Sequence, residues 1–242
     1  CTKANVLLTI TGDAVAIPVA EAILTLFLAL AKKLPLKERI ARSGRWDLKA
    51  QASGLGLRGK VVGSLGLGGI ASEMFNLLKP FRLARMIVYD PYIPTGKAAG
   101  MGVELVTLEN LFNQSDFLAI NCPLNDTTKG LVDWTLLTNM KPSAYLVNTA
   151  RGSIVNQDDL IQILSEKRIA GAGLDVFEEE PYTGNLATIE RCLLTAHMGS
   201  MAVDCRARME MEATEETIRF IAGHPLESAV PEEDYDNRRA EV

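Results

Sequence analysis

A chain of 242 residues is long enough for one large domain or one and a half ordinary ones. Its composition, 48% hydrophobic and 23% charged, suits a soluble globular protein with a real core, and a net charge of −5 argues against a nucleic-acid partner. Four cysteines, Cys1, Cys122, Cys192 and Cys205, show no C-x-x-C spacing. They argue against a disulfide frame or a bound metal and for reduced thiols in the cytoplasm.

Residues 4–11, ANVLLTIT, read as a strand closed by Gly12-Asp13. A long apolar helix is expected from Ile17 to Leu34, with Pro18 in its first turn, Glu21 near the positive end and Lys32 and Lys33 at the negative end. Its uncharged core, Ala22 to Ala31, is ten residues. That falls short of the ~20 needed to cross a bilayer, so no membrane partner is expected. Because nearly every face is apolar, the 17–34 region is expected to pack against a second copy of the chain as a homodimer. Residues 36–59 are mixed and basic, with four glycines, and read as a polar helix and loops.

The stretch Lys60 to Asp90 organises the rest. An apolar run, Val61 to Leu65, leads into Gly66-Leu67-Gly68-Gly69-Ile70-Ala71, which fits G-x-G-x-x-G/A. A helical segment and a second apolar run, Met86 to Tyr89, end on Asp90. Strand, glycine turn, helix, strand and acid in that order point to a dinucleotide. Gly66 permits the tight turn, Gly68 lets backbone approach a pyrophosphate on the free N–H groups of the helix start, and Ala71 is small enough for helix–strand packing. Asp90 lies about 20 residues beyond the turn, where an acid takes ribose hydroxyls and repels a 2′-phosphate.

After Asp90 the chain alternates. Pro91 to Gly102 reads as loop, Thr107 to Asn113 as a short helix capped by Thr107, and Asp116 to Asn121 as a strand ending at Cys122-Pro123-Leu124. Helices are expected at Asp133–Met140, Asn156–Lys167 and Val203–Ala222, the last stopped by Gly223. Strands are expected at Ala144–Asn148, leading to Thr149-Ala150-Arg151-Gly152, at Gly171–Val176, carrying Asp175, and at Cys192–Ala196, leading to His197. The alternation predicts an α/β doubly wound parallel sheet, whose ligand lies across the carboxyl ends of the strands. Asp90, Pro123, Arg151, Asp175 and His197 all fall at such ends. His224, in Gly-His-Pro after a helix, reads as an exposed loop residue.

Thr-Ala-Arg-Gly at 149–152, Leu-Asp-Val-Phe-Glu-Glu-Glu-Pro at 174–181 and His197-Met198-Gly199-Ser200 occur in that order. With the glycine turn and Cys122-Pro123-Leu124, the sequence resembles the D-isomer-specific 2-hydroxyacid dehydrogenases, most of all their phosphoglycerate dehydrogenase-like members, from about residue 4 to 225. The resemblance implies a Rossmann NAD-binding domain and NAD as cofactor. It implies Arg151, Glu180 and His197 as the catalytic set. It implies cofactor contacts at Gly66, Gly68, Gly69, Ile70, Asp90, Cys122, Pro123, Thr149, Ala150, Asp175, Gly199 and Ser200, with Asp175 near the nicotinamide carboxamide. Among Glu178, Glu179 and Glu180 composition does not choose; the family's E-x-E-P spacing selects Glu180.

The implied reaction passes a hydride between NAD(H) and C2 of a small D-2-hydroxy acid or 2-keto acid, such as 3-phosphoglycerate, hydroxypyruvate or glyoxylate. It needs a proton for the carbonyl oxygen, which a histidine supplies near neutral pH. A carboxylate beside the ring keeps the acid form available, and an arginine fork binds the substrate carboxylate.

The chain begins at Cys1 rather than Met, which suggests a cut chain. The family's second, substrate-binding domain is then largely missing, and NADH binding with poor turnover is expected. On this reading residues 1–16 connect toward that domain, 17–202 form the NAD-binding domain, and 203–242 form a crossover helix and a charged tail. Ala196 stands where proline is usual in the family, so a less rigid His197 loop is expected. Two other readings are weighed: a co-repressor-like protein that senses NAD(H) without turnover, and a methyltransferase using S-adenosylmethionine, which the strand-end Arg and His disfavour.

Overall fold

The computed structural model describes residues 6–230. The apolar runs become seven strands: β1 (Val61–Leu65), β2 (Arg85–Tyr89), β3 (Glu104–Leu105), β4 (Phe117–Ile120), β5 (Tyr145–Asn148), β6 (Gly171–Leu174) and β7 (Cys192–Leu194). They form one sheet in the order β3-β2-β1-β4-β5-β6-β7. Every pairing is parallel. This is the doubly wound Rossmann arrangement, with its order reversing between β1 and β4. β4, β5 and β6 are buried at every position, as strands covered on both faces must be.

The connections carry α3 (Gly69–Leu78), α4 (Thr95–Gly100), α5 (Leu108–Gln114), α6 (Trp134–Thr138) and α7 (Gln157–Ser165). Short side-chain acceptors start three of them. Thr107 Oγ1 takes the Asn110 amide at 3.2 Å, Asp133 takes that of Leu136 at 3.0 Å, and Asn156 takes that of Asp159 at 3.1 Å. The stretch 91–102, expected as loop, contains α4, and β3 follows it.

The chain divides into two compact units, Val19–Gly199 and Cys1–Pro18 with Ser200–Val242. The two ends of the chain belong to one unit. In it Thr9 bridges Ala229 antiparallel, Ile10 N–H donates to Ser228 O at 3.0 Å, and Val230 N–H donates to Leu8 O at 2.9 Å. The expected strand at 4–11 is therefore reduced, over its described residues, to a single bridge. The long helix α8 (Val203–Ile221) ends at Gly223, whose φ of +71° suits a left-handed stop. The buried Glu216 carboxylate receives the amides of Glu227 and Ser228 at 3.1 Å each. The charged tail, 231–242, lies outside the described residues.

The first helix, α1, runs Gly12–Ala31, so it begins before the expected Ile17 and places Pro18 inside rather than in its first turn. Proline has no N–H for the carbonyl one turn back, at Ala14. The thiol of buried Cys205 donates to that carbonyl instead, at 3.4 Å. By length and apolarity Ala14–Ala31 could cross a membrane, contrary to the ten-residue argument, but most of it is buried inside the protein. Ile23, Phe27 and Ala31 are fully covered, and Phe27 meets Phe117 of β4 edge-on at 5.4 Å. Gly173 of β6 makes room for α1: a Cβ there would stand 3.2 Å from Leu26 and Leu30. The apolarity that suggested a second subunit is thus largely used within the chain. A further helix, α2 (Leu34–Arg42), continues into a 3₁₀ stretch at Trp46–Ala52.

Parallel register aligns the strand ends. Tyr89, Leu65, Ile120, Asn148, Leu174 and Leu194 are paired in one row across β2, β1, β4, β5, β6 and β7. Whatever follows each of them is delivered to the same edge of the sheet.

Candidate functional site

The row of strand ends has two halves. The glycine turn, Asp90 and Cys122-Pro123 follow β1, β2 and β4. Arg151, Asp175 and His197 follow β5, β6 and β7.

In the first half Gly66 has φ +96°, and a Cβ on it would lie 2.9 Å from Cys122 N. The position demands glycine on both counts. Gly68 caps α3 without a side chain, and Gly68 and Gly69 are exposed, so bare N–H groups face outward at the positive end of a ten-residue helix. Ile70 is half-buried there, and Ala71 is fully buried. Asp90 Oδ2 accepts the Leu67 amide and Oδ1 that of Tyr92, both at 2.9 Å. The acid is thereby locked beside the turn, with lone pairs to spare for hydroxyls. These features fit a dinucleotide: a backbone cradle for the pyrophosphate and an acid for the ribose. Burial pushes the Cys122 thiol up to about 11. That residue brings a neutral side chain and its backbone. Pro123 is exposed, its carbonyl accepting the Thr128 hydroxyl at 2.6 Å.

In the second half the loops hold one another. His197 Nδ1 lies 2.8 Å from Glu180 Oε2. A carboxylate can only accept, so Nδ1 carries a proton and Nε2 is the ring's free end. The bond from His197 holds the Glu180 carboxyl below its ordinary value, with the Phe177 amide at 3.1 Å and the charge of Arg151 adding to the effect. Of the three glutamates, Glu180 is the one on the histidine. Glu178 accepts the Gln157 amide at the start of α7, at 3.1 Å, and Glu179 is exposed. Both His197 and Glu180 remain open to solvent, with side chains 50% and 36% exposed, so a substrate can reach them.

His197 adopts φ +53°, a left-handed conformation costing on the order of 1 kcal/mol for a residue with a Cβ. What imposes it is Asp175, 2% exposed. Its Oδ1 accepts the Thr195 hydroxyl at 2.5 Å and the Met198 amide at 2.9 Å; Oδ2 accepts the Gly199 amide at 2.8 Å. Its own carbonyl accepts the His197 amide at 2.7 Å. The carboxylate is therefore turned into the loop, and any part it has in binding a carboxamide passes through the backbone it arranges. Ala196, despite lacking proline's stiffness, sits within this clasp.

Arg151 is exposed, and its Nη1 donates to the Ala150 carbonyl at 2.6 Å, leaving the other guanidinium N–H groups for a ligand. The 149–151 turn is braced by buried Asn148, whose Nδ2 donates to Arg151 O at 2.9 Å and whose Oδ1 accepts the Ala150 amide at 3.0 Å. Thr149 is buried and Ala150 half-buried. Gly152 presses on the backbone of Phe177 and Glu178, where no Cβ would fit. That contact joins the arginine-bearing segment to the glutamate-bearing one. Ser200 is the first residue of the other unit's C-terminal segment. Asn148, Thr195 and Gly152 were not anticipated as site residues. The available signal was a polar side chain at the end of an otherwise apolar strand. Among the described residues no group of three or more His, Cys, Asp or Glu is placed to hold a metal.

Residues 24–199 match the family described as D-isomer specific 2-hydroxyacid dehydrogenase, NAD binding domain. The chain belongs to this family. The matched stretch is the NAD-binding domain, which makes NAD its cofactor. D-3-phosphoglycerate dehydrogenase of Methanocaldococcus jannaschii is 34% identical over 231 residues, 95% of this chain and 44% of that protein. Human glyoxylate reductase/hydroxypyruvate reductase is 33% identical over 222 residues, 90% of this chain and 68% of that protein. The structure of D-mandelate dehydrogenase from Rhodotorula graminis superposes with a TM-score of 0.86 at 29% identity, covering 95% of this chain and 70% of that one. The chain thus spans less than half of that phosphoglycerate dehydrogenase.

Proposed function

We propose that the protein is an NAD-dependent oxidoreductase acting at C2 of a small D-2-hydroxy acid or its 2-keto acid. Bound NADH would donate the hydride to a keto acid, and bound NAD would accept it from a hydroxy acid; the side chains described here supply position, charge and the proton. His197, tied to Glu180 through Nδ1, presents Nε2 to the substrate oxygen and gives or takes its proton. Glu180 fixes the ring's tautomer by accepting from Nδ1. Arg151 offers its remaining N–H groups to the substrate carboxylate, where a fork gives two-point alignment. The observation that carries this reading is the 2.8 Å His197–Glu180 contact on the edge that also bears the glycine turn.

3-Phosphoglycerate, hydroxypyruvate and glyoxylate are the substrates we favour, on the names of the relatives above. Those names also weigh against a sensor that binds NAD(H) without turnover. A cytoplasmic location and a homodimer through the 17–34 region belong to the same reading. Since α1 leaves little beyond Ile17, Glu21 and Thr25 fully open, sedimentation equilibrium is the direct check on the dimer. The activity test is the full-length protein with NADH and a panel of 2-keto acids, followed at the absorbance of the reduced cofactor. Turnover that disappears in His197→Ala supports the proposal; tight NADH binding with no turnover on any acid overturns it.

A further inference from the structure

β1 carries a polar side chain in the middle of the apolar core. Ser64 is fully buried, yet it lies beneath the glycine turn, away from the acid–base cluster. Its hydroxyl donates to the Gly66 carbonyl at 2.7 Å and accepts from Asn121 Nδ2 at 2.9 Å. Asn121 follows β4, on the far side of the point where the strand order reverses, and its amide donates to Leu65 O at 2.8 Å. The two segments that flank the reversal are therefore tied by backbone and by side chain, where Gly66 and Cys122 approach most closely.

We propose that Ser64 and Asn121 are positioning residues for the bound dinucleotide. They act in sequence. A hydroxyl has one proton; Asn121 presents a donor, so that proton is left for Gly66. Fixing the Gly66 carbonyl fixes the plane of the peptide it shares with Leu67. The Leu67 N–H in that plane is the one that holds Asp90 Oδ2, at 2.9 Å. One buried pair thus sets both the tilt of the turn that receives the pyrophosphate and the seat of the acid that receives the ribose. The inference rests on the dinucleotide reading of the glycine turn.

The test uses Ser64→Ala, Asn121→Asp and the double variant, with NADH affinity measured by fluorescence titration well below the unfolding temperature. Asn121→Asp keeps the volume but presents an acceptor, which draws the hydroxyl proton off Gly66. Each single variant should raise the NADH Kd about tenfold, the effect of one buried hydrogen bond. The double variant should be no worse than either single one. The ¹⁵N spectrum of ligand-free Ser64→Ala should move the Leu67 amide more than those of neighbouring strands, which general loosening would not do. If Asn121→Asp does not fold, Asn121→Ala completes the cycle. NADH binding that is unchanged in the variants, or effects that simply add, overturns the proposal. Failure of the unsubstituted chain to bind NADH would overturn the dinucleotide reading itself, and this inference with it.

Discussion

His197 Nδ1 and Glu180 Oε2 stand 2.8 Å apart although 17 positions separate them in the chain. The pairing commits one ring nitrogen to the carboxylate and leaves the other free for the proton transfer proposed above. His197→Gln keeps polarity but cannot exchange a proton in the neutral range. In the full-length protein it should lower kcat on the order of 10²- to 10⁴-fold, the usual range for loss of an acid–base group. NADH affinity should fall far less than kcat, within about twofold, because the glycine turn and Asp90 are left intact. Steady-state rates beside a binding titration measure both.

The same contact holds the Glu180 carboxyl below its ordinary value, the His197 bond being the largest cause. A depressed folded-state value means the pair's contribution to stability is present above the ordinary glutamate range. It is lost as the pH falls through the depressed value. Removing the histidine should move the midpoint back up. A ¹³C titration of the Glu180 carboxyl, compared between the unsubstituted protein and His197→Gln, reads the shift directly.

Asp175 receives three hydrogen bonds on a carboxylate that is 2% exposed. Asp175→Asn would set an NH₂ group against amides that need an acceptor. We expect a loss of about 2 kcal/mol in urea unfolding, and about 1 kcal/mol for Thr195→Val, which deletes the hydroxyl partner. The Asn variant should also free His197 from its left-handed backbone, seen as a changed ³J coupling at that amide.

Gly152 leaves no room for a methyl group against the carbonyl of Phe177 and the amide of Glu178. Gly152→Ala should cost about 2 kcal/mol as an overpacking change. Because the obstacle is backbone, relief must come from separating the segments that carry Arg151 and Glu180. The KM for the keto acid should rise more than the KM for NADH, a split that steady-state kinetics resolves.

Much of this was legible from the chain alone. Apolar runs such as Phe117–Ile120 and Tyr145–Asn148 are what a sheet covered on both faces requires, and Thr107, Asp133 and Asn156 mark helix starts by local bonding. The glycine turn and its acid are likewise local. What escaped the sequence depends on distant partners. Pro18 looked like a helix start because the thiol that serves the Ala14 carbonyl comes from residue 205. Thr95–Gly100 looked like loop because two glycines weaken a six-residue helix. The bonds from Thr195 and from the amides of Met198 and Gly199 to Asp175 were not legible either, because those partners come after β7, some twenty residues on. Among Glu178, Glu179 and Glu180 composition alone could not choose; the family spacing selected Glu180, and that is the one beside His197.

One consequence follows from how Asp175 grasps its neighbours. Apart from the Thr195 hydroxyl, it grips main chain, so its hold on the loop does not depend on which side chains stand at 196 and 198. Side-chain changes at those two positions would remove none of the hydrogen bonds that hold His197 and its loop to Asp175. A lineage, or an engineer, could retune selectivity there while the chemistry stands still.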